Sequence, residues 1–310
     1  MKKIMGLLLL TGIVFLSACG QQTESAAGDD GKINVVATTT MIKDLVEQVG
    51  GEQVAVTGLM GPGVDPHTYK PSATEVNTIG EADMIAYNGL HLEAQFTDVF
   101  EQSAQRGIPT MVIGDAIAED DLIQVEEGAD STVDPHIWFS VENWKQATDY
   151  VADHLAEQDP KHAEAFEDNA VAYKQELDEL QTYITERIEE IPEQSRYLVT
   201  AHDAFSYFGE AFDFEVVGLQ GINTQTEAGT GDISSLADFI VEKAIRSVFV
   251  ESSVSSRNMD ALMEAVNSRG QELQNAGELF SDALGDEAQN AETYIKMYRS
   301  NIDTIIEGLN

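Results

Sequence analysis

Apolar and polar positions fall along this chain in blocks that predict its elements. Residues 33–38 (Ile-Asn-Val-Val-Ala-Thr) form a short run of β type, residues 41–49 follow with helical spacing, and residues 54–57 make a second β run. Strand, helix, strand predicts a parallel α/β beginning, because parallel neighbours need a crossover between them. Residues 84–87 and 110–113 predict two further strands, with helical stretches around 73–80 and 93–106. From 160 to 191 there is no glycine and no internal proline, and Phe166, Ala170, Tyr173, Leu177, Leu180, Ile184 and Ile188 recur at helical spacing. This predicts one long helix with an apolar stripe, ended by Pro192. Beyond it, residues 197–200, 215–217 and 247–250 predict a second α/β set. The expected architecture is α/β: two lobes, 33–159 and 192–310, each with a parallel β-sheet flanked by helices, joined by one long rigid helix at 160–191.

The beginning of the chain reads differently. Lys2 and Lys3 precede a mostly apolar run, residues 4–15, which is too short to span a bilayer. Leu16-Ser17-Ala18-Cys19 closes the run on the only cysteine. Residues 1–18 therefore predict an export signal. The tetrapeptide resembles a bacterial lipobox, in which cleavage leaves Cys19 as a lipid-bearing N-terminus. One acyl chain anchors a protein only marginally, so the likeness implies several. Residues 19–32 are polar and small and predict a flexible tether. No later segment is long and apolar enough to span.

Composition narrows the function classes. The chain has 17 Lys and Arg against 55 Asp and Glu, a formal charge of −38. Loss of Lys2 and Lys3 with the signal leaves 15 against 55, or −40. Such acidity argues against nucleic-acid binding, which needs basic surface to neutralise phosphates. It keeps a protein soluble in salt, where self-repulsion is screened, and draws cations inward. With Cys19 as the single cysteine, the mature fold contains no disulfide and no thiolate metal site.

The candidate chemistry lies in the histidines, six in all. Asp65-Pro66-His67 and Asp134-Pro135-His136 repeat one tripeptide, and His202 and Asp282 follow at predicted strand ends. Proline stiffens the backbone ahead of each histidine, which suits a ligand that must hold still. Asp65 and Asp134 are placed to accept the ring N–H that faces away from a metal. Asp-Pro also starts ordinary turns, so one copy alone would mean little. Four donors from four distant loops, two in each expected lobe, predict a metal site in a cleft between them, at the strand ends where open α/β sheets place ligands. His91, His154 and His162 read as structural or surface residues, and Trp138 and Trp144 as core or interlobe packing.

Those motifs, with Asn88-Gly89-Leu90-His91-Leu92-Glu93, Thr200-Ala201-His202-Asp203-Ala204-Phe205 and Ser281-Asp282-Ala283-Leu284-Gly285, resemble the ordered signatures of the TroA-like zinc- and manganese-binding lipoproteins of bacterial ABC importers. The likeness runs from about residue 33 to the C-terminus. It implies two α/β lobes on a single rigid helix, His67, His136, His202 and Asp282 as metal ligands, and Mn2+ or Zn2+ as bound cargo. It further implies an ABC permease and its ATPase as partners, a monomer with no enzymatic activity, and attachment through Cys19 to the extracytoplasmic face of the cell membrane.

Three imidazoles and a carboxylate suit zinc, which outranks manganese in intrinsic affinity. Manganese-devoted relatives often carry glutamate where this chain has His202. The acidic segment 119–134 lacks the histidine-rich loop of many zinc-devoted relatives, and one manganese-serving branch keeps the histidine; the expectation is manganese, with zinc close behind. Two rivals come from other classes. A zinc hydrolase would use three histidines and an open position for water, with Glu227 or Asp203 as base, although no H-E-x-x-H spacing is present. A surface adhesin is compatible with the lipid anchor. The loop at 222–232 has no assigned role.

Overall fold

The computed structural model describes residues 31–125 and 132–310. The export signal, Cys19 and nearly all of the tether lie outside the described residues. Among the described residues, no helix is long and apolar enough to cross a membrane.

Strand β1 (Ile33–Ala37) is buried at four of its five positions, the mark of a central parallel strand covered on both faces. It pairs in parallel with β2 (Val54–Gly58) on one side and β3 (Met84–Tyr87) on the other, and β3 pairs with β4 (Thr110–Val112), giving the order β2-β1-β3-β4. The crossovers carry α1 (Thr40–Gly50), α2 (Ala73–Gly80) and α3 (Thr97–Gln105). Thr39 caps α1 by accepting the N–H of Ile42, and Ser72 and Glu75 form a capping box on α2. The helical stretch expected over 93–106 begins instead with a 3-10 turn at Ala94–Phe96.

Next come α4 (Val141–Gln158) and α5 (Ala163–Ile188), packed against each other. Helix α5 starts three residues after Pro160, because Asp159 accepts the N–H of Lys161 and contacts His162, forming a turn first. All seven stripe residues expected from its spacing are buried. They pack against α1, α4 and α9 (Tyr294–Leu309), so α5 is embedded in core on several sides.

The second set contains β5 (Tyr197–His202), α6 (Ser206–Phe212), β6 (Glu215–Gln220), α7 (Thr230–Lys243), β7 (Ser247–Glu251), α8 (Arg257–Ser268) and β8 (Gln274–Leu279). Strands β5 and β6 pair in parallel, as do β7 and β8, and β5 lies alongside β7. The fold is α/β with parallel sheets flanked by helices, as expected. One hydrophobic cluster runs from Ile33 through Trp144 and Leu177 to Ile306, joining both sets, while a second, around Val199, Ile240 and Leu262, belongs to the C-terminal set alone.

Candidate metal centre

The four residues singled out in the sequence meet at the C-terminal ends of the strands. His67 stands on the loop after β2, His136 just ahead of a 3-10 turn at Ile137–Phe139, His202 at the last position of β5, and Asp282 three residues after β8. All four are buried, and one donor atom from each lies within 4.8 Å of the others. Nε2 of His136 is 3.3 Å from Nε2 of His67 and 3.3 Å from Nε2 of His202. The Asp282 carboxylate lies 3.4 Å from Nε2 of His136, 3.3 Å from that of His202 and 3.9 Å from that of His67. Four donors at about 2.0–2.1 Å from a tetrahedral ion stand about 3.3–3.4 Å apart. The cluster has nearly that size, so these residues could hold a metal ion. Among the described residues neither Asp282 oxygen accepts a well-formed hydrogen bond, so this buried carboxylate is met by the facing imidazoles alone, and a cation among them would complete its surroundings.

The Asp-Pro-His repeat builds the same turn twice: Asp65 accepts the backbone N–H of His67 at 2.9 Å, and Asp134 that of His136 at 2.9 Å. The rings differ. Nδ1 of His136 lies 2.7 Å from Asp134, as expected, whereas the second oxygen of Asp65 turns away from its histidine ring to accept the hydroxyls of Thr68 and Thr224. Asp65 thus orients the His67 main chain, not its imidazole. For His202 the carboxylate comes from Glu251 at the end of β7, which accepts the His202 backbone N–H at 2.8 Å and contacts Nδ1 at 2.5 Å. Sequence reasoning missed Glu251; the available signal was an acid closing a buried apolar strand.

These partners divide the imidazoles electrostatically. Burial drives His67 down to about 3, overcoming the pull of Asp282. At His136 burial opposes the charge, but Asp134 and Asp282 outweigh it and push the ring up to about 9. His202 is likewise raised well above its usual value, with burial overcome by Glu251 and Asp282. Burial disfavours the Asp282 anion, yet the surrounding histidines hold it well below the ordinary range.

Neighbouring loops are tied to the cluster. Trp138 Nε1 donates to the carbonyl of Ser281 at 3.0 Å, joining the His136 turn to the Asp282 loop, and Tyr207 donates to the carbonyl of Asp134 at 2.9 Å. Asn88 donates to the carbonyl of Pro135, while buried Glu93 accepts from Thr38 and from the amides of Asn88 and Gly89. Trp144 is buried against Tyr294. A cavity of about 1190 Å³ adjoins the cluster, lined by His67, Asp134, Asp203 and the loop after β6. His91 lines it outside the donor cluster; His154 contacts the carbonyl of Tyr150, and His162 contacts Asp159. Asp203 accepts from Ser206, and Glu227 accepts from Asn258.

Parallel α/β sheets whose strand ends converge on a buried His3Asp cluster beside a cleft define a metal-binding protein of the solute-binding class. A family model described as the periplasmic component A of a zinc-uptake complex, ZnuA, matches residues 35–308, and the chain belongs to that family. It is 41% identical to the manganese-binding lipoprotein MntA of Bacillus subtilis over 97% of this chain and 98% of that one. It is 42% identical to the zinc-binding protein TroA of Treponema pallidum, over 99% of this chain and 96% of that one. The solved structure of TroA superposes with a TM-score of 0.86, covering 90% of this chain and 99% of that one.

Proposed function

We propose that this chain is the extracytoplasmic solute-binding lipoprotein of an ABC importer, which captures a divalent transition metal on His67, His136, His202 and Asp282 and delivers it to a permease and its ATPase. It works as a lipid-anchored monomer, held to the membrane through Cys19, and performs no catalysis. Two lobes, 33–159 and 192–310, with 160–191 between them, frame the cleft. The observation that carries this reading is the buried Asp282 carboxylate facing three Nε2 atoms at 3.3–3.9 Å.

Manganese is the favoured cargo: Asp282 brings a carboxylate to the cluster, and carboxylate donors suit manganese. The relative MntA is named for manganese. Zinc is the second reading, favoured by donor spacings close to those of a tetrahedron at zinc–nitrogen distances. A hydrolase is disfavoured because Asp282 fills the fourth donor position and Glu227 is engaged with Asn258.

The test is calorimetric titration of metal-stripped protein, residues 20–310, with manganese and zinc separately and then in competition. One tight site, lost in His202→Ala, is the expected result. Absence of any stoichiometric site for either metal overturns the reading.

A further inference from the structure

The donors are not held equally. His136 is fixed at its backbone and ring by Asp134, and His202 at both points by Glu251. The Asp282 loop is tied down by Trp138 through Ser281. Only the backbone of His67 is so held, and among the described residues no carboxylate meets its ring Nδ1. Its loop is also partly exposed: Pro62, Gly63, Thr68 and Lys70 lie on the surface, whereas Asp134, Glu251 and Ser281 are buried.

A hydroxyl from the opposite wall of the cavity ties that loop down. Thr224, on the loop between β6 and α7, donates to Asp65 Oδ2 at 2.5 Å, while Asp65 Oδ1 accepts the His67 N–H at 2.9 Å. Neighbours of Thr224, including Ile222, Asn223 and Gln225, line the cavity together with His67. A charged acceptor makes this a strong hydrogen bond, and its geometry passes the position of Thr224 directly to the least anchored ligand.

We propose that Thr224 is a positioning residue for metal retention: through Asp65 it holds His67 on the metal, and breaking this contact is the step that opens the site for release. This rests on the metal-binding reading above and assigns a role to the loop at 222–232.

The test uses mature protein loaded with manganese and measures the rate of metal loss to excess chromophoric chelator. Thr224→Val, equal in shape but without the hydroxyl, is expected to lose metal about tenfold faster, in the range seen for groups that orient ligands. Thr224→Ser restores the hydroxyl and returns the rate towards wild type. Asp65→Asn speeds loss similarly, and adding Thr224→Val to it changes nothing further, because the two act along one path. The proposal falls if Thr224→Val releases metal at the wild-type rate, if Thr224→Ser fails to rescue, or if the two substitutions add. Failure of the underlying reading shows separately, as wild-type protein with no stoichiometric site, and would take the proposal with it.

Discussion

Glu251→Gln keeps the shape of a buried side chain and removes its charge. The wild-type carboxylate receives the His202 backbone N–H at 2.8 Å and lies 2.5 Å from Nδ1, so the ring presents Nε2 to the cluster. The glutamine oxygen still accepts one of these N–H groups, so the fold is expected to survive. What is lost is a charge-assisted contact that makes His202 a better donor, and such losses typically weaken metal binding about 10–100-fold, or about 1.4–2.7 kcal/mol.

The pH dependence gives a sharper signature. With His136 raised to about 9 and His202 also raised, both rings hold protons at pH 7 in the metal-free protein, while His67, near 3, is already neutral. Metal must displace the protons on Nε2, so affinity falls with acid, and about two protons leave per ion bound at pH 7. Release at His136 fades as pH rises through about 9. Without Glu251 the ring of His202 loses its main charge partner and titrates lower, so about one proton leaves instead. Calorimetry at pH 7 in buffers of different ionisation enthalpy counts these protons. An unchanged proton count together with an affinity within about twofold of wild type refutes the assignment of Glu251.

Other outcomes follow from the same geometry. Ala in place of His67 or Asp282 removes one of four donors and is expected to lower affinity at least about 100-fold with an unchanged far-UV spectrum; an unaltered isotherm rejects either residue as a ligand. Leu177→Ala, in the buried stripe of α5, is expected to cost about 2–5 kcal/mol and lower Tm by roughly 5–10 °C, with metal affinity in the folded protein unchanged. Manganese at 100 times its Kd should stabilise the protein by about 2.7 kcal/mol in denaturant titrations, an effect absent from His202→Ala.

The clustering of His67, His136, His202 and Asp282 was legible because the Asp-Pro-His repeat marks two of them and strand-end placement marks the others. Glu251 was not, since its partner His202 is 49 residues away and the pairing arises only when β5 and β7 lie side by side. The predicted strand 247–250 stops one residue short of it. Asp65 and Asp134 occupy identical motifs, yet only Asp134 meets its ring; Thr224, 159 residues from Asp65, claims the other carboxylate oxygen. The α5 stripe was readable from local 3.6-residue spacing. The joining of both sheet sets in one hydrophobic cluster was not, because apolar spacing says which face is buried and not against what.

That shared cluster bears on how metal can leave. Phe139 packs on Phe205 with ring centres 4.3 Å apart, Trp144 stacks on Tyr294 at 5.0 Å, and Tyr298 donates to the carbonyl of Phe139. Parting the first half of the chain from the second would expose these five rings. At roughly 1.5–3 kcal/mol for each large side chain, that is on the order of 10 kcal/mol, comparable with the whole stability of a typical domain. Moving the loop that carries His67 breaks a few polar contacts, chiefly those of Asp65, at about 1–3 kcal/mol each, and disturbs only the partly buried Val64 and Tyr69 where they pack on a small cluster. The energetic difference favours a site that opens at one ligand over a molecule that opens along its middle, and it places the control of release in the loops facing the cleft.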